Sequence, residues 1–284
     1  MRTKTTIAPE QSADRIDDFF RRMAEQSRMG TDPRMEGRPR CVLFLDYDGT
    51  LAPFRVARLE ATPFPGVRRR LGRLLAGRST RVVIVSGRTV DDLRYLLRLD
   101  PLPELWGAHG WEHQPAGGEA RVLPLPEAAR NGLREAEAWA RAGGLGERLE
   151  RKPGCLALHW RGVSPDVRDA MHDSVRAGWG ALAAAGGLEL TEFDGGIELR
   201  VPGRDKGDAV RAVLETIEWR EGVLAAFLGD DRTDEDAFAA LKQSLGERAL
   251  NVLVRDQWRE SCADAWLRPP ACLRRFLDRW IALE

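Results

Sequence analysis

Short apolar runs alternate with amphipathic stretches over most of the chain, as strands and helices do when they follow one another. The runs are continuous rather than alternating, which is typical of strands buried on both faces of a parallel sheet. They lie at Cys41–Asp46, Thr80–Val85, Leu105–Ala108, Val223–Leu228 and Ala249–Val254. The pattern predicts an α/β fold with a Rossmann-like core, in which right-handed crossovers join parallel strands.

This alternation is interrupted between about Trp111 and Asp194. The interrupting segment shows a hairpin pattern, a helical pattern, a strand, a second helix and a second hairpin, which we place at 111–123, 127–142, 155–160, from Ser164-Pro165 onward, and at 188–201 around Asp194-Gly195. We therefore predict an inserted α/β module at 111–194. The core then consists of 41–110 and 195–284.

Residues 1–40 lack the strand pattern of the rest of the chain and are predicted to form an extension and linker. The segment 12–28 predicts one amphipathic helix, with Ile16, Phe19, Phe20 and Met23 on one face. The stretch 29–40 is rich in Gly, Pro and Arg and predicts a linker. The pattern leaves open whether this extension packs on the core, contacts a partner or stays disordered.

The composition argues against several classes of function. The chain has 284 residues, and its 44 Lys and Arg balance its 44 Asp and Glu, so charge gives no indication of nucleic-acid or anionic-membrane binding. No apolar run is long enough to span a membrane, and the first forty residues lack an apolar signal region. The four cysteines are scattered, which argues against zinc or a disulfide framework. We expect a cytoplasmic, reducing location.

Two carboxylates follow the first apolar run, at the strand end where open α/β sheets bind ligands. The motif is Asp46-Tyr47-Asp48-Gly49-Thr50. Asp46 can attack phosphorus as a nucleophile, and Asp48 can protonate the leaving alcohol and then activate water. Gly49 allows the chain to turn sharply. Taken alone, the motif fits a solvated turn equally well.

Two further positions fit an anion site. Ser86-Gly87-Arg88 follows the second run, where a hydroxyl and backbone N–H groups precede a predicted helix that Thr89 and Asp92 would begin as a capping box. Lys206, at another predicted helix start, can hold a phosphate and offset the charge of Asp46. Taken singly, a strand-to-helix turn and an exposed lysine are simpler explanations.

An acidic segment, Gly229–Asp236, follows the run at 223–228. Carboxylates this close repel one another unless a cation intervenes, and Mg²⁺ prefers one or two carboxylates together with water and phosphate. Asp230 is predicted to contact the ion, with Asp234 or Asp231 holding its waters. Thr233 and Asp236 could also form a capping box. Together the four motifs, each at a strand end or helix start, favour a phosphatase.

These motifs resemble those of the haloacid dehalogenase superfamily of phosphohydrolases, over nearly all of 41–284. The strings LDYDGTLAP, SGR, GAHGWE, RKPGCLALHWR, ELRVPGRDKGDAV and GDDRTDEDAF are similar, more narrowly, to trehalose-6-phosphate phosphatases. The resemblance implies a haloacid dehalogenase-type core in which the inserted module is a cap. It implies Asp46 as nucleophile, Asp48 as general acid and base, and Ser86, Gly87 and Lys206 at the phosphoryl group. Asp46, the Asp48 backbone carbonyl and Asp230 would hold Mg²⁺.

The same resemblance implies that the cap closes over a sugar. Matching positions suggest these sugar contacts: His109, Glu112, Lys152, His159, Arg161 and Glu198. Each has an alternative: His159 could face solvent or the core, Lys152 could be a loop charge, and Glu198 could pair with Arg200. His113-Gln114-Pro115 and Gly154-Cys155 depart from the family pattern, which bears on sugar specificity and not on the hydrolytic core.

Other functions remain compatible with these motifs. They include a phosphatase for sucrose phosphate or mannosyl-phosphoglycerate, a phosphomutase, and a catalytically silent regulator that binds a sugar phosphate. The presence of Asp46, Asp48, Lys206 and Asp230 argues against a silent protein. A trehalose-phosphate synthase, as a functional partner, is expected on a separate chain.

Overall fold

The computed structural model describes residues 12–28, 39–77, 79–193, 195–217 and 222–284. The chain divides into two compact units, one made of Met1–Arg121 and Asp205–Glu284, the other of Val122–Arg204. Both sequence-based bounds of the inserted module, 111 and 194, lie N-terminal of the bounds of the second unit, and its role as a cap stays a prediction. The predicted linker at 29–40, apart from Pro39 and Arg40, and the turn residue Asp194 lie outside the described residues.

Helices and strands alternate in chain order as the sequence pattern predicted. The helices are α1 (Ser12–Arg28), α2 (Val67–Ala76), α3 (Val90–Leu97), α4 (Glu127–Ala142), α5 (Pro165–Gly186), α6 (Lys206–Glu215), α7 (Asp234–Leu245) and α8 (Ala271–Ile281). The strands are β1 (Cys41–Leu45), β2 (Thr80–Val85), β3 (Glu104–Gly107), β4 (Glu112–Gln114), β5 (Arg121–Val122), β6 (Leu149–Lys152), β7 (Cys155–His159), β8 (Glu189–Phe193), β9 (Gly196–Arg200), β10 (Leu224–Gly229), β11 (Ala249–Val254) and β12 (Ala265–Leu267). Within the described residues, none of the helices combines the length and apolar character needed to cross a membrane.

The large sheet has the strand order β12-β11-β10-β1-β2-β3-β4-β5. The pairs from β12 to β3 are parallel, whereas β4 runs antiparallel to β3. The predicted hairpin at 111–123 therefore extends the sheet of the core. The chain moves outward from β1 through β2 and β3 and later resumes on the other side of β1 at β10. This reversal creates a crevice at the carboxyl ends of β1 and β10, where ligands bind in open α/β sheets.

Helices cover both faces of the large sheet, which explains why its central strands β1 and β10 are apolar along their whole length. On one face, Leu43, Leu45 and Ile84 join a buried cluster with side chains of α1, α2, α3 and α8. On the other, Phe44 stacks on Phe227, which meets Phe238 of α7 edge to face. The parallel-sheet α/β prediction is confirmed.

The N-terminal helix α1 packs against the C-terminal helix α8. The predicted apolar face is buried, and the Phe19 ring centre lies 5.7 Å from that of Trp280. Phe20 contacts Phe276 with a centroid distance of 5.0 Å. Of the roles left open by the sequence for this segment, packing on the core is the one that α1 adopts.

The second unit is an antiparallel sheet with the order β6-β7-β9-β8 and two helices on one face. Leu156 and Leu158 of β7 and Ile197 and Leu199 of β9 lie on one face of the sheet and are buried. Trp179 of α5 is also fully buried, and its indole N–H donates to the Ala136 carbonyl of α4 at 3.2 Å. The other face carries mostly polar side chains, around the small residues Cys155 and Ala157.

Phe19→Ala should lower the free energy of unfolding by about 3–5 kcal/mol, because the ring is fully buried between α8 and the sheet. Chemical denaturation measures this loss. The control is Phe54→Ala, whose ring is 67% exposed and whose loss should cost less than about 0.5 kcal/mol. Equal effects of the two substitutions would contradict the packing of α1.

Candidate active site

A buried lysine lies between two buried carboxylates at the carboxyl end of the sheet. Lys206 Nζ donates to Asp46 Oδ1 at 2.7 Å and to Asp234 Oδ1 at 2.8 Å. All three residues are at most 3% exposed. The lysine is therefore the opposite of the exposed surface residue that remained possible from sequence alone.

The local sequence around Lys206 explains how it arrives there. Asp205 caps α6 through a reciprocal capping box with Asp208, so Lys206 is the first residue of the helix. A Cβ atom at Gly207 would lie 2.6 Å from the backbone oxygen of Asp236, so only glycine permits this approach of α6 to α7. The close approach of the two helices places Lys206 beside Asp234.

Asp234 also shapes the acidic loop after β10. Its Oδ2 accepts the backbone N–H groups of Asp230 at 2.9 Å and Asp231 at 3.0 Å. Two arginines hold the same loop from outside, because Arg255 donates to the Asp230 carbonyl at 3.1 Å and Arg259 to the Asp231 carbonyl at 2.6 Å. The loop is thus fixed by hydrogen bonds to its backbone N–H groups and to its backbone carbonyls.

Asp231 and Thr233 use their polar groups within the loop. Asp231 Oδ1 accepts the Thr233 backbone N–H at 2.8 Å and its hydroxyl at 2.6 Å. The Thr233 side chain makes no capping bond to α7, so the capping box considered for Thr233 and Asp236 is not formed. Asp231 nevertheless lies close enough to Asp230 to help raise its pKa.

The carboxylate of Asp230 approaches the backbone of the first motif. A Cβ atom at Gly49 would lie 2.1 Å from Asp230 Oδ2, and Gly49 has a φ of +80°. Both space and backbone conformation therefore require glycine at this position. This contact brings the Asp46 motif and the acidic loop, which are far apart in sequence, to one point.

Burial and mutual repulsion perturb the carboxyl groups of this cluster. Burial raises the pKa of Asp46 well above its ordinary value, although Lys206 opposes the shift. Burial, reinforced by Asp234 and Asp231, raises the pKa of Asp230 to about 8. Burial alone would lower the pKa of Lys206, but Asp234 and Asp46 raise it well above its usual range. The lysine therefore stays charged. Its single positive charge does not offset burial and the mutual repulsion of the carboxylates, so the pKa values of Asp46 and Asp230 stay raised.

Three of these carboxylates could hold one metal ion. Among the described residues, Asp46, Asp230 and Asp234 each offer an oxygen within 4.8 Å of the others. Asp46 Oδ2 is buried and has no hydrogen-bond partner among the residues that the structure describes. A buried carboxylate oxygen without a partner is costly, and a cation or a bound phosphoryl group would satisfy it. Of the predicted metal residues, Asp231 and the Asp48 side chain lie outside this group.

Asp48 lies on the other side of the motif, with its carboxylate bound by Arg88. Arg88 Nε donates to Oδ2 at 2.6 Å and Nη2 donates to Oδ1 at 2.7 Å. Arg88 belongs to the Ser86-Gly87-Arg88 motif, in which sequence analysis assigned roles only to the first two residues. The position of Arg88 at a strand end, beside those two, was the signal that could have identified it.

Ser86 and Gly87 lie at the end of β2, beneath His109. The buried Ser86 hydroxyl accepts the Arg88 backbone N–H at 3.2 Å. A Cβ atom at Gly87 would lie 2.5 Å from His109 Nε2, so glycine makes room for the imidazole. Ala108 and His109 both have positive φ, 49° and 54°, a strained conformation that is common at functional sites. The structure brings the predicted phosphate-binding segment and His109 together.

Helix α3 has a cap that sequence analysis missed. Glu112 Oε2 accepts the backbone N–H of Val90, the first residue of the helix, at 2.8 Å. Thr89 accepts the Asp92 N–H at 3.2 Å as expected. In place of the second bond of the predicted capping box, from the Asp92 side chain back to Thr89, the Asp92 carboxylate pairs with Arg58 at 2.8 Å. Glu112 therefore has a structural task besides any contact with a sugar.

Four of the predicted sugar contacts belong to the second unit. Lys152, His159 and Glu198 share the face of its sheet opposite the helices, since their strands are in register there. Glu150, which sequence analysis did not single out, forms an ion pair with Lys152 at 3.2 Å and lies 3.0 Å from His159 Nε2. Arg161 lies over Gly195.

Glu198 forms the alternative contact considered for it. It pairs with Arg200 at 3.5 Å and lies 3.4 Å from the Cys155 thiol. The polar face of this sheet is therefore a network of paired, half-buried charges. Whether these residues contact a sugar stays a prediction.

Comparison with known proteins identifies the family. A family model described as trehalose-phosphatase matches residues 44–263. The chain belongs to the trehalose-phosphatase family. A protein of Oryza sativa subsp. japonica described as probable trehalose-phosphate phosphatase 3 is 30% identical over 272 residues, covering 86% of this chain and 70% of the rice protein.

Solved structures agree with the family assignment. The trehalose-6-phosphate phosphatase of Aspergillus fumigatus is 25% identical, with a TM-score of 0.63 over 93% of this chain and 98% of the fungal one. A Bacteroides thetaiotaomicron phosphatase of the haloalkanoate (HAD) superfamily is 17% identical and shares the fold, with a TM-score of 0.54 over 90% of this chain and 99% of that one. The predicted haloacid dehalogenase-type fold and phosphatase class are confirmed.

Lys206→Met should lower the free energy of unfolding by about 3 kcal/mol or more, because it leaves two buried carboxylates without their shared cation. Denaturant titration measures the loss. Lys242→Met is the matched control, since Lys242 is 39% exposed and pairs with Asp264 at 3.2 Å. That exposed pair should contribute less than about 1 kcal/mol. Similar small losses for both variants would contradict the proposed importance of the buried cluster.

Proposed function

We propose that this phosphatase hydrolyses trehalose 6-phosphate to trehalose and phosphate, through an aspartyl-phosphate on Asp46 and with Mg²⁺. The observation that carries the proposal is the contact of Lys206 with Asp46 inside a buried carboxylate cluster. A carboxylate beside a permanent cation at a strand end suits nucleophilic attack on a phosphate ester. Family membership supports the choice of sugar phosphate.

In the first step, an Asp46 carboxylate oxygen forms a bond to phosphorus as the bond to the sugar oxygen breaks. Asp48 gives its proton to the departing oxygen, so the sugar leaves as an alcohol. Lys206 stabilises negative charge on the phosphoryl oxygens, and the Ser86 hydroxyl and Gly87 backbone are expected to bind them. In the second step, Asp48 takes a proton from water, which attacks phosphorus and releases phosphate and free Asp46.

The carboxylate cluster fits a divalent cation. Burial raises the pKa values of Asp46, Asp230 and Asp234, and Asp46 Oδ2 has no hydrogen-bond partner in the described part of the chain. Asp46, Asp230 and the Asp48 backbone carbonyl would hold Mg²⁺, with Asp234 and Asp231 supporting it. When bound, the ion would neutralise charge on the phosphoryl group. Two direct carboxylate ligands also match the preference of Mg²⁺ for few carboxylates and several waters.

The polar sheet face of the second unit is the proposed cap surface for the sugar. Lys152, His159, Arg161 and Glu198 would contact its hydroxyl groups, and His109 and Glu112 would do so from the core. Polar groups that must hydrogen-bond a substrate discriminate strongly against analogues lacking those partners. The substrate would be supplied by a trehalose-phosphate synthase on a separate chain.

Phosphate release from trehalose 6-phosphate tests the proposal. The wild type should release phosphate in the presence of Mg²⁺ and lose this activity in excess chelator, because the cluster needs a divalent cation. Sucrose 6-phosphate and glucose 6-phosphate should be poor substrates. Preferred release from either of these would retain the core chemistry and reject the substrate assignment. Binding of trehalose 6-phosphate without turnover would favour a regulator instead.

Asp46→Asn should lower kcat by more than about a thousandfold, because an amide is a poor nucleophile in the same place. The substitution preserves shape, so the thermal unfolding profile should still show one cooperative transition. Asp173→Asn, on α5 with a side chain that is 83% exposed, serves as the control and should retain activity. Substantial turnover by Asp46→Asn would reject the aspartyl-phosphate.

A further inference from the structure

Both carboxylate oxygens of Asp48 accept hydrogen bonds from a single guanidinium. This fork-to-fork arrangement, at 2.6 and 2.7 Å, fixes the plane of a carboxylate as well as its distance. The proposed mechanism relies on Asp48 but assigns no task to Arg88. The pair is largely shielded, with side chains that are 10% and 27% exposed for Arg88 and Asp48.

Arg88 is held in place by contacts other than Asp48. Its Nη1 donates to the Arg58 carbonyl at 2.7 Å, and its guanidinium carbon lies 5.5 Å from the centre of the Tyr47 ring. Its backbone carbonyl accepts the Ala108 N–H at 2.7 Å. The guanidinium therefore has a position set by the core, and the more exposed Asp48 carboxylate takes its orientation from it.

The backbone of Asp48 is held separately. Asp48 forms a bridge with Ala52, and the Gly49 N–H donates to the Ala52 carbonyl at 2.8 Å. These bonds fix the turn without the guanidinium. What Arg88 adds is the direction of one side chain rather than the conformation of the loop.

We propose that Arg88 is a positioning residue, which holds the Asp48 carboxylate in the orientation for proton transfer to and from the reacting oxygens. The inference rests on the proposed function, because it requires Asp48 to act as the acid and base. Arg88 acts through Asp48 and has no contact with the substrate in this role. Misplacing a reacting group by about 1 Å costs up to about a hundredfold in rate.

Two substrates with different leaving groups distinguish a positioning role of Arg88 from a role in folding. Trehalose 6-phosphate releases an alcohol that needs a proton, whereas p-nitrophenyl phosphate releases a stable phenolate that needs little help. Arg88→Gln should therefore lower kcat/KM for trehalose 6-phosphate by about tenfold to a hundredfold more than for p-nitrophenyl phosphate. The ratio kcat/KM is used because it reports transfer to the enzyme and not the later hydrolysis.

A double-mutant cycle on trehalose 6-phosphate gives the second readout. If Arg88 acts through Asp48, adding Arg88→Gln to Asp48→Asn should lower kcat/KM by less than about twofold further. Multiplicative losses in the double variant would overturn the proposal. Should Arg88→Gln fail to fold, Arg88→Lys replaces it, since lysine keeps the charge but not the planar fork.

Arg68→Gln is the matched control. Arg68 donates to the carbonyls of Leu97 at 2.6 Å and Leu96 at 3.1 Å, at the end of α3 farther from Arg88, and should leave the ratio of the two substrates unchanged. Equal losses on both substrates in Arg88→Gln would overturn the positioning role and leave the proposed function intact. A wild type that does not hydrolyse trehalose 6-phosphate would overturn both.

Discussion

The ammonium group of Lys206 is buried with the carboxylates of Asp46 and Asp234, and the rest of the site depends on this contact. Moving any one of these charges out of water alone would cost several kcal/mol, so each is tolerated only because the others are present. The three residues come from the end of β1, the start of α6 and the start of α7. Forming the charge cluster therefore requires the fold, and the fold brings the catalytic groups together.

Small residues make this convergence possible. Gly207 lets α6 approach α7, Gly49 leaves room for Asp230, and a Cβ atom at Gly229 would lie 2.3 Å from the Asp234 carboxyl carbon. Gly49 and Gly229 lie where a carboxylate of the cluster meets the backbone, so these two loops are shaped by the charges beside them. The cost of this arrangement is seen in the raised pKa values of Asp46 and Asp230, caused first by burial and then by the neighbouring carboxylates.

Much of the core could be predicted because its signals are local. Continuous apolar strands, the motif residues at their ends and the helix beginning at Lys206 are all visible in a few consecutive residues. The partners of those residues are not, since they depend on long-range packing. The sequence placed Asp234 near a metal site, but it did not show that its two oxygens would also accept from Lys206 and from the backbone N–H groups of Asp230 and Asp231. The strand β6 was missed because it is mostly polar, and the edge strand β12 because an apolar run of three residues is too short to indicate a strand.

The two units hold their polar residues in different ways, and this bears on how the function can change. In the core, Asp46, Lys206 and Asp234 are fully buried and share hydrogen bonds, so replacing one leaves the others uncompensated. In the second unit, Lys152, His159 and Glu198 are half-buried and paired with residues that water can partly replace. Substitutions there should cost less stability than the loss of Lys206, whose charge is fully buried. The chemistry of phosphoryl transfer is therefore tied to the fold, whereas the surface proposed to choose the sugar can vary while the fold persists.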